Sequence, residues 1–135
     1  MLFGKTILVT GVASGIGART AELAGQMGAE VIGVDVREPA SGSAAFIKGD
    51  LSTAAGVADI VAQLPARLDA LANVAGLSGS TGVVSTLAVN FYGLRALSEA
   101  VAPRLREGGA VVNVASIAGY GWRANLNRAA SMVGI

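Results

Sequence analysis

Gly11, Gly15 and Gly17 stand directly behind the apolar run Ile7–Thr10, and a helical pattern from Ile16 to Met27 starts among them. Glycines at such a junction let the backbone approach a pyrophosphate where side chains would block it. The helix start adds unpaired N–H donors and a partial positive charge. The chemistry is therefore the binding of a dinucleotide's phosphates, with Gly11, Ser14, Gly15, Ile16 and Gly17 as the candidate cradle. Three spaced glycines alone are a weak signal; a strand before them and a helix after them make it strong. The alternative is a glycine turn required only for packing.

Asp35 lies 18 residues beyond Gly17, at the end of the next apolar run, with Val36 beside it. A carboxylate there accepts hydrogen bonds from ribose hydroxyls and repels a 2′-phosphate. Val12, Ala13 and Ser14 offer no Lys or Arg to such a phosphate, and Arg37 is expected behind Asp35. NAD rather than NADP is the expected cofactor. The plain alternative is that Asp35 merely starts a turn.

The elements that must position these residues follow from periodicity. Strands are expected over Thr6–Thr10, Glu30–Val34, Ala45–Lys48, Leu68–Val74 and Ala110–Ala115. Helices are expected over Ile16–Met27, ended by Gly28, and over Thr53–Leu64, capped by Ser52. A long helix is expected over Val83–Arg106, bent near Pro103 and ended by Gly108–Gly109. Pro39–Ser43 and Gly76–Gly82 read as loops. Alternating strands and helices with continuous apolar strands imply an α/β fold: a doubly wound parallel sheet with helices on both faces and strand order 3-2-1-4-5.

Composition excludes several classes. Hydrophobic residues make up 53% and charged residues 14% of 135, so most of the chain is interior. A net charge of +1 gives no footprint for nucleic acid or an anionic membrane. There is no His and no Cys, which removes the commonest general base, thiolate chemistry and the usual transition-metal ligands; no metal site is expected. The N-terminus lacks the pattern of a signal peptide, and no run approaches the ~20 apolar residues of a membrane span. A soluble, cytoplasmic protein is expected. A P-loop nucleotidase is disfavoured because G-x-x-x-x-G-K-[ST] is absent.

Residues 1–135 read as one dinucleotide-binding domain, with 117–135 opening a substrate-side segment. Ending there leaves an apolar fifth strand at an edge, an aggregation hazard. The sequence is therefore expected to lack a sixth strand and its crossover helix.

Thr10-Gly-x-x-x-Gly15-Ile16-Gly17, Asp50-Leu51, Asn73-Val74-Ala75-Gly76, Asn90 in Val89-Asn-Phe-Tyr-Gly93, and Ser116-Ile-Ala-Gly119 occur in that order. In order and spacing this set resembles the short-chain dehydrogenase/reductase superfamily over essentially the whole chain. Val74 departs mildly from the family's Asn-Asn-Ala-Gly. The resemblance implies a Rossmann fold in which Asp50 and Leu51 border the adenine, while Asn73, Ala75 and Gly76 stabilise the fourth strand and face the cofactor. It implies that Asn90 supports a proton-relay water and that Ser116 hydrogen-bonds the substrate oxygen. Plain readings stand beside these: Asp50 as a capping acid, Asn73 as a backbone tie, Asn90 as a packed polar residue, Ser116 as a strand-end serine.

The family's base is a tyrosine with a lysine four residues on, which lowers its pKa. Tyr120 is followed by Ala124 and Tyr92 by Ala96, so neither fits. The segments Ile7–Gly17, Val31–Arg37 and Asp50–Ser52 look most like bacterial 3α-hydroxysteroid and coniferyl-alcohol dehydrogenases, which carry a long insertion between serine and tyrosine. Tyr120 and Trp122 then suit a ring-bearing substrate, or equally packing. The resemblance implies an oxidoreductase acting between NAD and an alcohol or ketone, as a homodimer or homotetramer, with its tyrosine beyond residue 135. The alternative is a non-catalytic dinucleotide-binding protein.

Overall fold

The computed structural model describes residues 1–40 and 45–133. Five parallel strands form one sheet: β1 (Thr6–Thr10), β2 (Glu30–Asp35), β3 (Ala45–Lys48), β4 (Leu68–Asn73) and β5 (Leu105–Asn113). Their order is β3-β2-β1-β4-β5, the doubly wound order expected. In the central pairs Val9 stands beside Gly33 on one side and Ala72 on the other.

Strand alternation divides the core between two faces. Leu8, Ile32, Val34, Ile47 and Leu71 join one cluster with Val57 and Ile60 of α2 (Ala54–Gln63) and with Leu97 and Val101 of the helix before β5. Val9, Val12 and Val31 join the other with Ala21 and Ala24 of α1 (Gly15–Gln26). Leu8, Ile60, Leu68, Leu71 and Leu97 are fully buried. Each contributes roughly 1.5–3 kcal/mol of transfer free energy, so truncating Leu71 to Ala costs about 2–5 kcal/mol.

Several expected boundaries shift. α1 ends at Gln26, and Gly28, at φ +96°, turns the chain toward β2. α2 is capped by Thr53, not Ser52: the Thr53 hydroxyl accepts the Gly56 N–H at 3.0 Å. Ser52 instead donates its N–H to Asp50 Oδ1 at 2.8 Å. The loop Pro39–Ser43 is described only as far as Ala40; residues 41–43 lie outside the described residues. The glycine–serine loop holds a 3₁₀ turn over Gly79–Thr81.

The long helix is not continuous to Arg106. It comprises α3 (Val83–Leu87), a π-helical stretch over Ala88–Gly93, and α4 (Leu94–Val101), then a 3₁₀ turn over Ala102–Arg104 that accommodates Pro103. Leu105 already pairs with Leu68 as part of β5. Gly108 and Gly109 therefore lie inside β5 rather than ending a helix. Gly108, at φ +76°, sits at the register irregularity that brings Ala110 beside Ala70. Beyond β5 come a 3₁₀ segment, Ile117–Asn125, and α5, Leu126–Val133. No helix among the described residues is long and apolar enough to cross a membrane.

The amino ends of three strands are tied by Asp69. Its carboxylate accepts the Thr6 N–H at 2.9 Å and the Lys5 ammonium at 3.0 Å, with Arg106 Nε at 3.7 Å. The Thr6 N–H first, then Lys5, then the charge of Arg106, hold it below the ordinary value of 3.8 despite partial burial.

Candidate active site

The carboxyl ends of β1, β2, β3 and β4 open onto one cleft of about 560 Å³. This is where an open α/β sheet binds ligands. Gly11, Ser14, Ile16 and Gly17 form its floor; Asp35 and Val36, then Asp50 and Leu51, form one wall; Ala75 and Gly76 form the other. Ten of the twelve residues singled out for a cofactor thus meet in one place. Gly15 lies on the outer side of the same turn, and Asn73 lies beneath the cleft at 2% exposure.

The floor depends on its glycines. At φ +78°, Gly11 brings its backbone against β4's turn, where a Cβ would lie 2.8 Å from Ala75 N and Cα. A Cβ on Gly17 would run into the Gly11 carbonyl oxygen. Gly15 has φ +58° and open space around it. Ser14 precedes α1 in extended conformation and makes no side-chain cap. The first N–H groups of a helix have no intrahelical partner, and an anion suits such donors.

Thr10, 1% exposed, supports the opposite wall from below. Its hydroxyl oxygen accepts the N–H groups of both Val74 and Ala75 at 3.0 Å. Asn90 sits behind that wall: its Oδ1 accepts the Leu77 N–H at 2.8 Å and its Nδ2 donates to the Leu77 carbonyl at 2.9 Å. Asn73 donates to Ser98 Oγ at 2.9 Å and Asn113 Oδ1 at 2.8 Å, joining β4, α4 and β5, while its own buried Oδ1 has no partner among the described residues. Its geometry is that of a tie between strands.

Asp35 carries the clearest recognition chemistry. Oδ2 accepts the Ala13 N–H and Oδ1 the Arg37 N–H, both at 3.0 Å. An ionised carboxylate has about four acceptor positions, so each oxygen keeps capacity for a ribose hydroxyl. Arg37, expected behind Asp35, is also among the residues lining the cleft. Leu77, Ser85 and Val89 also line it and went unmarked in the sequence. Val89's helical spacing from Ser85 was the available signal.

Ser116 lies past the carboxyl end of β5, exposed, outside the cleft wall, where its Oγ accepts the Ala118 N–H at 3.1 Å. Its hydroxyl proton remains available to a donor bond. Tyr120 and Trp122 are exposed on the following segment, and Arg123 stacks over the Trp122 ring at 5.5 Å. No cluster of acidic side chains with metal-ligand geometry occurs among the described residues.

This arrangement matches known proteins. Residues 5–134 match the family model described as short chain dehydrogenase. The chain is 45% identical over 125 residues to the coniferyl-alcohol dehydrogenase of Pseudomonas sp. (strain HR199 / DSM 7063), covering 93% of this chain and 49% of that protein. Among solved structures, the 3-alpha-hydroxysteroid dehydrogenase from Pseudomonas sp. B-0831 complexed with NADH superposes with TM-score 0.77 at 33% identity, covering 96% of this chain and 57% of that one. The Pseudomonas aeruginosa RhlG/NADP complex superposes with TM-score 0.76 at 30% identity, over 87% and 55%. The chain spans about half the length of the curated relatives it matches. With the sheet order, the glycine floor and a family match running almost end to end, the chain belongs to the short-chain dehydrogenase family.

Proposed function

We propose that this chain forms the NAD-binding half of an alcohol dehydrogenase, acting on a hydroxysteroid or an aromatic alcohol. The observation that carries the reading is Asp35, held on the cleft wall by two backbone N–H groups with acceptor capacity to spare. A carboxylate so fixed favours two ribose hydroxyls and opposes a 2′-phosphate. The glycine floor fits a pyrophosphate, because no Cβ is tolerated at Gly11 or Gly17 and none fills the space at Gly15. The relatives' names support the substrate class: one acts on coniferyl alcohol, another on 3α-hydroxysteroids.

A bound nicotinamide ring would supply the hydride acceptor. The chain's own residues bind and orient. α1 and the glycine turn hold the phosphates, Asp35 the adenosine ribose, and Asp50 and Leu51 flank the adenine, with Val36, Ala75 and Gly76 completing the walls. Ser116 donates its hydroxyl proton to the substrate oxygen, which places the carbinol carbon for transfer.

Asn90 lies in the π-helical stretch, where the Leu94 N–H reaches back five residues to the Val89 carbonyl. Such stretches are frequent at functional sites, and Asn90 is assigned the support of a water in a proton relay. No tyrosine in these 135 residues has a lysine four positions on, so proton removal is assigned to none of them. The absence of Cys suits a reducing cytoplasm, and the exposed side of α3 and α4 is the face for a homodimer or homotetramer.

Calorimetric titration of the chain with NAD and NADP tests the cofactor: NAD should bind more tightly by at least about tenfold. Equal or reversed affinities would overturn the NAD assignment. Following reduced-cofactor absorbance with coniferyl alcohol and a 3α-hydroxysteroid tests turnover by the protein that carries this sequence. NAD binding without oxidation of any alcohol would make it a binding module instead.

A further inference from the structure

The turn Gly49–Ser52 lines the cleft, on the side proposed above for the adenine, and two successive carbonyls of that turn are each pressed against a helix glycine. A Cβ on Gly56 of α2 would meet the Asp50 carbonyl oxygen. A Cβ on Gly93, the last residue of the π-helical stretch, would meet the Leu51 carbonyl oxygen, with Leu51 C at 2.9 Å and the Ala88 carbonyl oxygen at 3.1 Å. These obstacles are backbone, so they cannot rotate aside; the turn or the helix must shift. Gly93 has ordinary helical angles, φ −67° and ψ −44°. Its conformation therefore does not demand glycine, and glycine is a poor residue within a helix. The close approach to Leu51 is what its presence permits.

That approach bears on the ligand. Leu51 is one side of the cleft, and Val89, one turn before Gly93 on the same helix, also lines it. The intervening Asn90 clamps Leu77, another lining residue. We propose that Gly93 is a positioning residue for the adenosine half of the dinucleotide: it lets the helix backbone touch the Leu51 carbonyl and so sets the width of the cleft between Leu51 and Val89. The proposal rests on the dinucleotide reading of the cleft.

Nuclear magnetic resonance titrations of the whole chain and of Gly93→Ala, with AMP and separately with inorganic pyrophosphate, test it. AMP should bind the variant at least about tenfold more weakly, while pyrophosphate affinity stays within about twofold. Unchanged AMP affinity, or equal loss for both probes, overturns the proposal; equal loss is what a merely structural role would give. If Gly93→Ala does not fold, hydrogen exchange in the unmodified chain decides. AMP should slow exchange at the Leu51 and Ser52 amides and also at Gly93 and Leu94; protection confined to the turn overturns the proposal. An unmodified chain that binds neither AMP nor NAD would overturn the dinucleotide reading and this proposal with it, an outcome distinct from loss of the Gly93 effect alone.

Discussion

Asp35 Oδ2 accepts the Ala13 N–H at 3.0 Å, tying the end of β2 to the glycine turn that follows β1. With Oδ1 held by the Arg37 N–H, the carboxylate is fixed in the cleft wall before any ligand arrives. Fixed acceptors lose less ordering entropy on binding, so under the proposed NAD reading this bond would support affinity as well as specificity.

Asp35→Ala should therefore weaken NAD binding by about 10–100-fold, the range expected for losing charge-assisted hydrogen bonds to a ribose diol. NADP should lose less, or gain, because the repelling charge is gone while Arg37 still lines the cleft. Titration calorimetry with both cofactors reads the ratio; equal losses for NAD and NADP would contradict the assigned role.

Thr10→Val keeps the side-chain volume but removes the oxygen that accepts the Val74 and Ala75 N–H groups. Two donors under the cleft lose their partner, each at about 1–3 kcal/mol if no water reaches it. The variant should be about 2–6 kcal/mol less stable in urea unfolding. Its NAD affinity should also fall, since the freed segment is a cleft wall.

Much of this architecture was legible because burial on both faces writes itself as continuous apolar runs. Ile7–Thr10 and Val31–Val34 could be little else, and the glycines between them marked the cleft floor. What escaped depends on partners distant in sequence. Leu105–Gly109 contains two charges and two glycines and does not look like a strand; pairing with Leu68 makes it one. The π-helical stretch has no local marker in Ala88–Gly93, and its bonding pattern emerges only in the folded helix. Ser52 and Thr53 are both good caps by residue type, and only the folded backbone shows that the Thr53 hydroxyl is the one that meets the Gly56 N–H. Arg37 is two residues past Asp35, where strand alternation no longer says which way a side chain points.

Asp69 makes stability depend on acid in a defined direction. Its folded-state pKa is held below the ordinary 3.8 by the Thr6 N–H, Lys5 and Arg106. A depressed carboxylate contributes stability that is full above its unfolded-state value and is lost as pH falls through the folded-state value. The melting temperature of Asp69→Asn should fall short of the unmodified chain's most at neutral pH, and the gap should close below the ordinary carboxylate range. A gap independent of pH in thermal melts would show that the contribution is not ionic.

Gly17 and Gly25 both belong to α1, and the same substitution should act oppositely at the two positions. A Cβ on Gly17 meets the Gly11 carbonyl oxygen, a backbone atom that can yield only if helix and turn separate. Gly17→Ala should cost about 1–3 kcal/mol, as overpacking does. It should also abolish NAD binding, because the displaced pieces are the proposed phosphate cradle. A Cβ on Gly25 meets nothing within 4 Å, and the residue has no positive φ to be strained. Gly25→Ala should therefore stabilise the chain by up to about 1 kcal/mol, through the lower backbone entropy of the unfolded state. NAD affinity should be unchanged. Urea unfolding of both variants, each followed by an NAD titration, checks the pair. Destabilisation by Gly25→Ala would mean that α1 depends on glycine for more than its contact with the turn.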